Sequence, residues 1–220
     1  MPGGRPTACL HCKTAEMEDV ANTHRECESE HCRTHSSNPA YRGYCMRCFI
    51  HLFPDENISR HYKIKETHFT DYIKTLVGTV IPAHLQIAFD RRIDGGCSLR
   101  RPDVFIDALT HGIILEFDEN GHNTDEYCSC ESKRLMQLFQ DLGSRPLVCI
   151  RINPDAYTDK DGKRVQSCFK RHKTLGVPMI RSKADWAARL AVVTQRIAHH
   201  IGNVPSQEVV QEHLYFDGFV

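Results

Sequence analysis

Apolar residues along this chain change their spacing in a way that outlines a layered domain over its C-terminal two-thirds. Between residues 64 and 77, Phe69, Tyr72, Ile73 and Leu76 recur at helical spacing and predict a helix. QIAFDRRI (86–93) reads as a first strand. VFIDAL and GIILEF, separated by a His-Gly break, read as adjacent strands of a hairpin. Residues 130–142 predict an amphipathic helix with Leu135, Leu138, Phe139 and Leu142 on its buried stripe and Gly143 as its stop. PLVCIRINP is a buried strand ended by Pro154. After a loop comes a long packing helix, started by Ser182 with Asp185 three residues on, whose stripe is Trp186, Leu190, Val193 and Ile197. The order is helix, three strands, helix, strand, loop, long helix. That predicts an α/β (α+β) class with a mixed central sheet flanked by helices.

The pattern stops near residue 58. Upstream there are few aliphatic residues but six cysteines within about forty residues, so this segment lacks the means to build a core of its own. Cys27, Cys32, Cys45 and Cys48 form a Cys-x4-Cys, twelve-residue gap, Cys-x2-Cys array. Four thiolates on two short knuckles suit tetrahedral Zn²⁺, whose binding would supply the missing folding energy. Cys9 and Cys12 form a further knuckle that needs two partners. His24, His31 and His35 are candidates, as are other groupings with Cys45 and Cys48. The predicted division is a cysteine-rich zinc module over 1–58 and a catalytic-type domain over 59–220.

Composition narrows the setting. The 220 residues carry 28 Lys+Arg against 28 Asp+Glu, so any affinity for nucleic acid must come from local patches. MPGGRPTACLHC has no apolar core, which argues against a signal peptide. No apolar run approaches a membrane span. Eleven cysteines would suggest disulfides in a secreted chain, but the number is odd and several are paired as Cys-x-x-Cys. The expectation is an intracellular protein, in nucleus or cytoplasm, with reduced or metal-bound thiols and no membrane partner.

The densest chemistry lies in LRRPDVFIDALTHGIILEFDENGH. Asp103 opens the first hairpin strand, and Glu116 and Asp118 close the second on one face. Three carboxylates gathered at one sheet end would repel each other without a cation, and such an oxygen-rich site suits Mg²⁺ or Mn²⁺ holding a phosphate. The bland alternative is a solvated acidic strand end.

Asp103 after a proline, followed by Glu116 on the next strand, resembles the PD-(D/E)XK nuclease superfamily. EFDENGH is similar to the branch around very-short-patch repair endonucleases. GCSLRRPD, CESKRLMQLFQDLG and CIRINPDAY look like an uncharacterised subgroup associated with large DNA viruses, algae and protists, and the cysteine array is similar to short repeats in algal and viral proteins. The resemblance covers residues 62 to 155. It implies a restriction-endonuclease-like core, a Mg²⁺- or Mn²⁺-dependent endonuclease cutting DNA (with RNA left open), and Asp103, Glu116 and Asp118 as metal ligands. The chain departs from the pattern at the lysine position, which holds Asp118. A lysine there would orient the attacking water and stabilise phosphate charge.

Several residues could fill that role or support it. His122 can exchange a proton near neutral pH or ligate metal. Lys133 and Arg134, in the first turn of the 130–142 helix, could reach a bound phosphate or simply be solvated. Glu66 is either a fourth carboxylate or a favourable acid at a helix start. Asp90 is either an auxiliary acid or a salt-bridge partner. Arg100, Arg101, Lys163, Arg164, Lys170 and Arg171, with Lys160 and Lys173, form candidate backbone contacts to nucleic acid. Cys97, Cys128, Cys130 and Cys168 could share a second-domain metal or be ordinary thiols, and Cys149 reads as core. The competing function is a non-catalytic zinc, nucleic-acid or protein-binding module on a degenerate nuclease fold, with Asp118 its best argument.

Overall fold

The computed structural model describes residues 14, 26–34, 36, 38–61, 64–119, 128–173 and 177–218. Two compact units divide it: residues 1–63 with 171–178, and residues 64–170 with 179–220. No helix among the described residues is long and apolar enough to cross a membrane.

The first unit contains a short 3-10 turn (Pro39–Tyr41), α1 (Met46–Leu52) and α2 (Asn57–His61). Contrary to the expectation from its composition, it has a small aromatic nucleus. Tyr41 and Phe49 are almost fully buried, with ring centroids 5.6 Å apart, and Phe53 lies 5.1 Å from Phe49. Arg42 lays its guanidinium over Phe53 at 5.1 Å and pairs with Glu56 at 2.6 Å. Two or three rings leave little apolar area to bury, far short of what a segment of this size needs to fold. A metal held by the clustered cysteines could supply the remainder.

The second unit begins with α3 (Lys65–Thr75), then β1 (Gln86–Phe89), β2 (Val104–Asp107), β3 (Gly112–Phe117), α4 (Cys128–Asp141) and β4 (Leu147–Ile152). Two short hairpins follow, β5 (Tyr157–Thr158) with β6 (Arg164–Val165) and β7 (Phe169–Arg171) with β8 (Pro178–Ile180). Helix α5 (Lys183–Gly202) and β9 (Val209–Leu214) complete the chain. The sheet order is β1-β2-β3-β4-β9, antiparallel through β3 and parallel from β3 to β9. The chain is therefore mixed α/β with a mixed five-stranded sheet.

Every residue of β3 and β4 is buried, as expected of strands covered on both faces. Alternation sends Val104, Ile106, Ile113, Leu115, Val148 and Ile150 to one face, against Phe69 and Ile73 of α3 and Trp186, Leu190, Val193 and Ile197 of α5. Phe105, Ile114, Leu147 and Cys149 go to the other, against Leu138, Phe139 and Leu142 of α4. Ser182 accepts a hydrogen bond from the Asp185 amide at 3.2 Å and starts α5, and Gly143 at φ +70° stops α4. β1 is shorter than its sequence pattern suggests. Asp90 takes a left-handed φ of 45°, so the chain leaves the sheet after Phe89.

Candidate metal centres

Cys27, Cys32, Cys45 and Cys48 bring their sulfurs within 4.8 Å of one another. The path is set locally. Cys32 closes a turn by donating its amide to Ser29 O at 2.9 Å, and Arg42 and Gly43, both at positive φ, swing the chain into Cys45 at the start of α1. Gly43 is at φ +86°, a conformation that favours glycine, whereas an added Cβ would meet only the movable end of the exposed Glu28 side chain. Cys32 Sγ and Cys45 Sγ are 3.8 Å apart, far beyond a disulfide bond and equal to the edge of a tetrahedron with metal–sulfur bonds of about 2.3 Å. The Cys45 amide donates to Cys27 Sγ at 3.1 Å and the Cys48 amide to Cys45 Sγ at 3.5 Å. Hydrogen bonds from Thr34 pull the Cys32 thiol down to about 6, while Cys45 beside it pushes Cys48 up to about 12. Four such sulfurs could hold a metal ion such as zinc. His31 is exposed and outside the cluster. Cys9, Cys12, His24 and His35 lie outside the described residues.

The second candidate centre is a polar row across one end of the sheet. The register aligns Asp103 with Glu116, Glu116 with Arg151, and Arg151 with His213, and Asp90 donates its amide to Asp103 O at 3.1 Å. All point to the face that α4 covers. Asp103 accepts the Phe117 amide at 2.7 Å, and burial pushes its carboxyl above the usual carboxylate range against that bond and the Arg134 charge. Glu116 is 5 % exposed. Burial, with Asp103 and Asp118 nearby, pushes it up to about 8 despite Arg134. Arg134 Nη1 donates to Glu116 Oε2 at 2.8 Å. Oε1 lies 2.8 Å from Nη2, an ion-pair contact without hydrogen-bond geometry, and Nη2 also donates to Arg101 O at 3.2 Å.

Asp118 shares the α4 face with Glu116, as alternation predicts, but it is already taken. Arg151 Nε donates to its Oδ2 at 2.6 Å, and the same guanidinium forms a close ion pair with Glu131 of α4. Asp103, Glu116 and Asp118 therefore do not converge as the four sulfurs do. Among the described residues, the cysteines alone make a group of three or more ligand types within 4.8 Å.

The other candidates separate. Arg134 reaches Glu116, whereas its neighbour Lys133 is exposed. Glu66 is half-buried in the first turn of α3, a helix packed on the opposite face of the sheet. Asp90 is an ion-pair partner, held by Arg101 at 3.0 Å. Arg100 donates to Gln137 at 2.8 Å. Lys160, Lys163, Arg164, Lys170, Arg171 and Lys173 are all exposed. His122 lies outside the described residues, as do the side chains of Cys128 and Cys130. Among the described residues, Cys97 and Cys168 join no metal-type group. Cys168 is buried in the α3/α5 core, whereas the Cys97 amide is held by Asp141 at the end of α4 remote from Cys128 and Cys130, about 20 Å along that helix.

Arg151, Glu131 and Lys65 were not singled out by sequence. Lys65 bridges Asp155 at 2.8 Å and Glu119 at 3.6 Å beside the strand ends. A signal did exist for Arg151: a lone cation inside PLVCIRINP must find a buried carboxylate. Compared with protein-family models, curated proteins and solved structures, the chain matches none.

Proposed function

We propose that the second unit is a Mg²⁺- or Mn²⁺-dependent endonuclease acting on DNA, on a core of the PD-(D/E)XK type, and that the first unit is a zinc module. The observation that carries this is Asp103 beside Glu116 on adjacent strands, with Glu116 Oε1 buried and without a hydrogen bond. A cation fits that oxygen: four acids (Asp103, Glu116, Asp118 and Glu131) face two arginines (134 and 151), an excess of two negative charges when all are ionised. Asp103 and Glu116 would hold it. A bound divalent ion lowers the pKa of water and neutralises charge on a phosphate. Arg151 clamps Asp118 and Glu131, so Asp118 acts at one remove, fixing the end of β3 rather than ligating. Arg100, Arg101 and the exposed basic residues of the hairpin tract would contact the phosphate backbone.

The test is cleavage of duplex, flap, mismatched and single-stranded DNA with Mg²⁺ or Mn²⁺. Wild type should cut, and Asp103→Asn and Glu116→Gln should each abolish cutting while keeping the wild-type melting temperature to within a few degrees. A wild type inert on all four substrates with both metals refutes the nuclease reading. One observation favours the second reading, a non-catalytic binding module: Glu116 and Asp118 are each already neutralised by an arginine. Unaltered DNA binding without cleavage would select it.

A further inference from the structure

The two arginines of the polar row are held differently. Arg151 is 5 % exposed and clamped between Asp118 and Glu131. Arg134 keeps 29 % of its side chain exposed and rests on one carboxylate, Glu116, plus a single backbone carbonyl, Arg101 O. Its side chain projects from a helix over the sheet end, so rotamer changes alone can carry the guanidinium off Glu116 and outward, with no movement of β3. Glu116 cannot follow, because its side chain is enclosed.

Charge decides what happens when a divalent ion arrives. With all four acids ionised and Arg134 in place, the site carries two excess negative charges. Replacing that guanidinium by a divalent ion leaves one, so exchange is electrostatically downhill, and Glu116 Oε1 trades an ion pair that makes no hydrogen bond for a direct contact with the ion. A guanidinium and a metal cannot both occupy the inner side of one enclosed carboxylate. The displaced fork then stands beside Asp103 and Glu116 with its donors unpaired, and a phosphate oxygen matches it bidentately. The strand position that would carry a lysine holds Asp118, which Arg151 neutralises, so no cation reaches the phosphate from β3.

We infer that Arg134 is an exchangeable counter-ion. It occupies the Glu116 carboxylate in the metal-free protein, yields it to the divalent ion, and then contacts the substrate phosphate from α4. This rests on the nuclease reading above.

The experiment uses full-length, zinc-loaded protein and Mn²⁺ as probe, with bound Mn²⁺ read by electron paramagnetic resonance separately from DNA cleavage. Arg134→Gln should bind Mn²⁺ more tightly than wild type, by about tenfold, and Glu116→Gln should lose that site. At saturating Mn²⁺, Arg134→Gln should cut about 10²–10³-fold more slowly, and Arg134→Lys should recover most of the loss. Unchanged or weaker Mn²⁺ binding by Arg134→Gln overturns the counter-ion role, and wild-type cutting by it overturns the phosphate role. Both can fail while wild type still binds Mn²⁺ and cuts, which leaves the nuclease reading intact. If neither wild type nor Arg134→Gln binds Mn²⁺ at Glu116, both proposals fall. Should Arg134→Gln melt well below wild type, Arg134→Lys decides alone: a compact ammonium cannot fork onto Glu116, so this variant should still bind Mn²⁺ more tightly than wild type, and equal affinity counts against the exchange.

Discussion

The two candidate centres gather ligand-type side chains by opposite means. In the first unit four sulfurs crowd within 4.8 Å of one another. In the second unit the acids are threaded with arginines: Arg134 on Glu116, and Arg151 on Asp118 and Glu131. Thiols lose little by being protonated, so four of them can stay crowded without an internal counter-ion, but they then contribute no cohesion until a metal binds. Buried carboxylates need compensation from the moment the chain folds. A metal held by the four cysteines would therefore be part of the fold of the first unit. Under the proposed nuclease reading, one in the second unit would be an exchangeable addition to a fold already complete.

The largest effect that could break this contrast is metal removal. Structural zinc in small thiolate sites is worth about 10–16 kcal/mol at neutral pH. Chelation of the full-length protein under reducing conditions, or Cys45→Ser, should expose the Tyr41–Phe49 nucleus and make all four thiols reactive, while the second unit keeps its own unfolding transition. Thiol counting and near-ultraviolet dichroism would read this. A chelated first unit with unreactive cysteines would show that its aromatic nucleus suffices. Chelation should leave Trp186 packing untouched, since the arginines and not a metal neutralise the sheet end.

Next in size is Arg151. Replacing it by Met leaves Asp118 and Glu131 without their cation in a buried setting, a situation that typically costs about 3–5 kcal/mol. Urea melts should show this directly, and the triple replacement of Arg151, Asp118 and Glu131 by apolar residues of similar size should recover much of it. Little loss on Arg151→Met would mean that Asp118 has another partner in solution, and its exclusion from metal binding would lapse.

Protonation separates the centres more gently. The Glu116 carboxyl is raised from its ordinary 4.5 to about 8 by burial, so between those values the folded state holds a proton that the unfolded state has released. Its contribution to stability is complete below about 4.5 and is lost as pH rises through about 8. Stability of the second unit should decline across that window, and Glu116→Gln should flatten the decline. Saturating Mg²⁺ should flatten it too, by favouring the ionised form. A wild-type profile equal to that of Glu116→Gln would mean that Arg134 keeps Glu116 ionised throughout.

How much of this was legible in sequence depends on what carried each feature. Strong periodicity marked α4, α5, β3 and β4, and the Ser182 cap and Gly143 stop fell where side-chain and backbone chemistry require them. β9 went unread because VVQEHL interrupts its apolar residues with three consecutive polar ones and shows no strict alternation. Its place comes from pairing with β4, a long-range contact with no local signature. The two-residue strands β5 and β6 are likewise set by their turn. In the cysteine array spacing alone identified the ligands, since a tetrahedral site constrains sequence distance. At the sheet end it did not. Same-face alternation brought Glu116 and Asp118 together correctly, but nothing in their spacing could reveal that Arg151, 33 residues further along the chain, would claim Asp118.

The smallest predicted effect tests the finest of these distinctions. Lys133 and Arg134 are adjacent cations that sequence alone treats as alternatives. On an α-helix, consecutive residues differ by about 100° in direction, so only one of them can face the sheet end. The stripe of Leu135, Leu138, Phe139 and Leu142 fixes that rotation. It turns Arg134 toward Glu116 and leaves Lys133 exposed. Lys133→Ala should therefore change stability by no more than about 0.5 kcal/mol. It should leave Mn²⁺ affinity at the wild-type value and weaken DNA binding only slightly, with a small loss of salt dependence, because an exposed lysine adds at most one screened phosphate contact. A loss of cleavage on Lys133→Ala at saturating metal, with Arg134→Gln active, would mean that α4 rotates when DNA binds, and the cation assigned from α4 would shift by one residue.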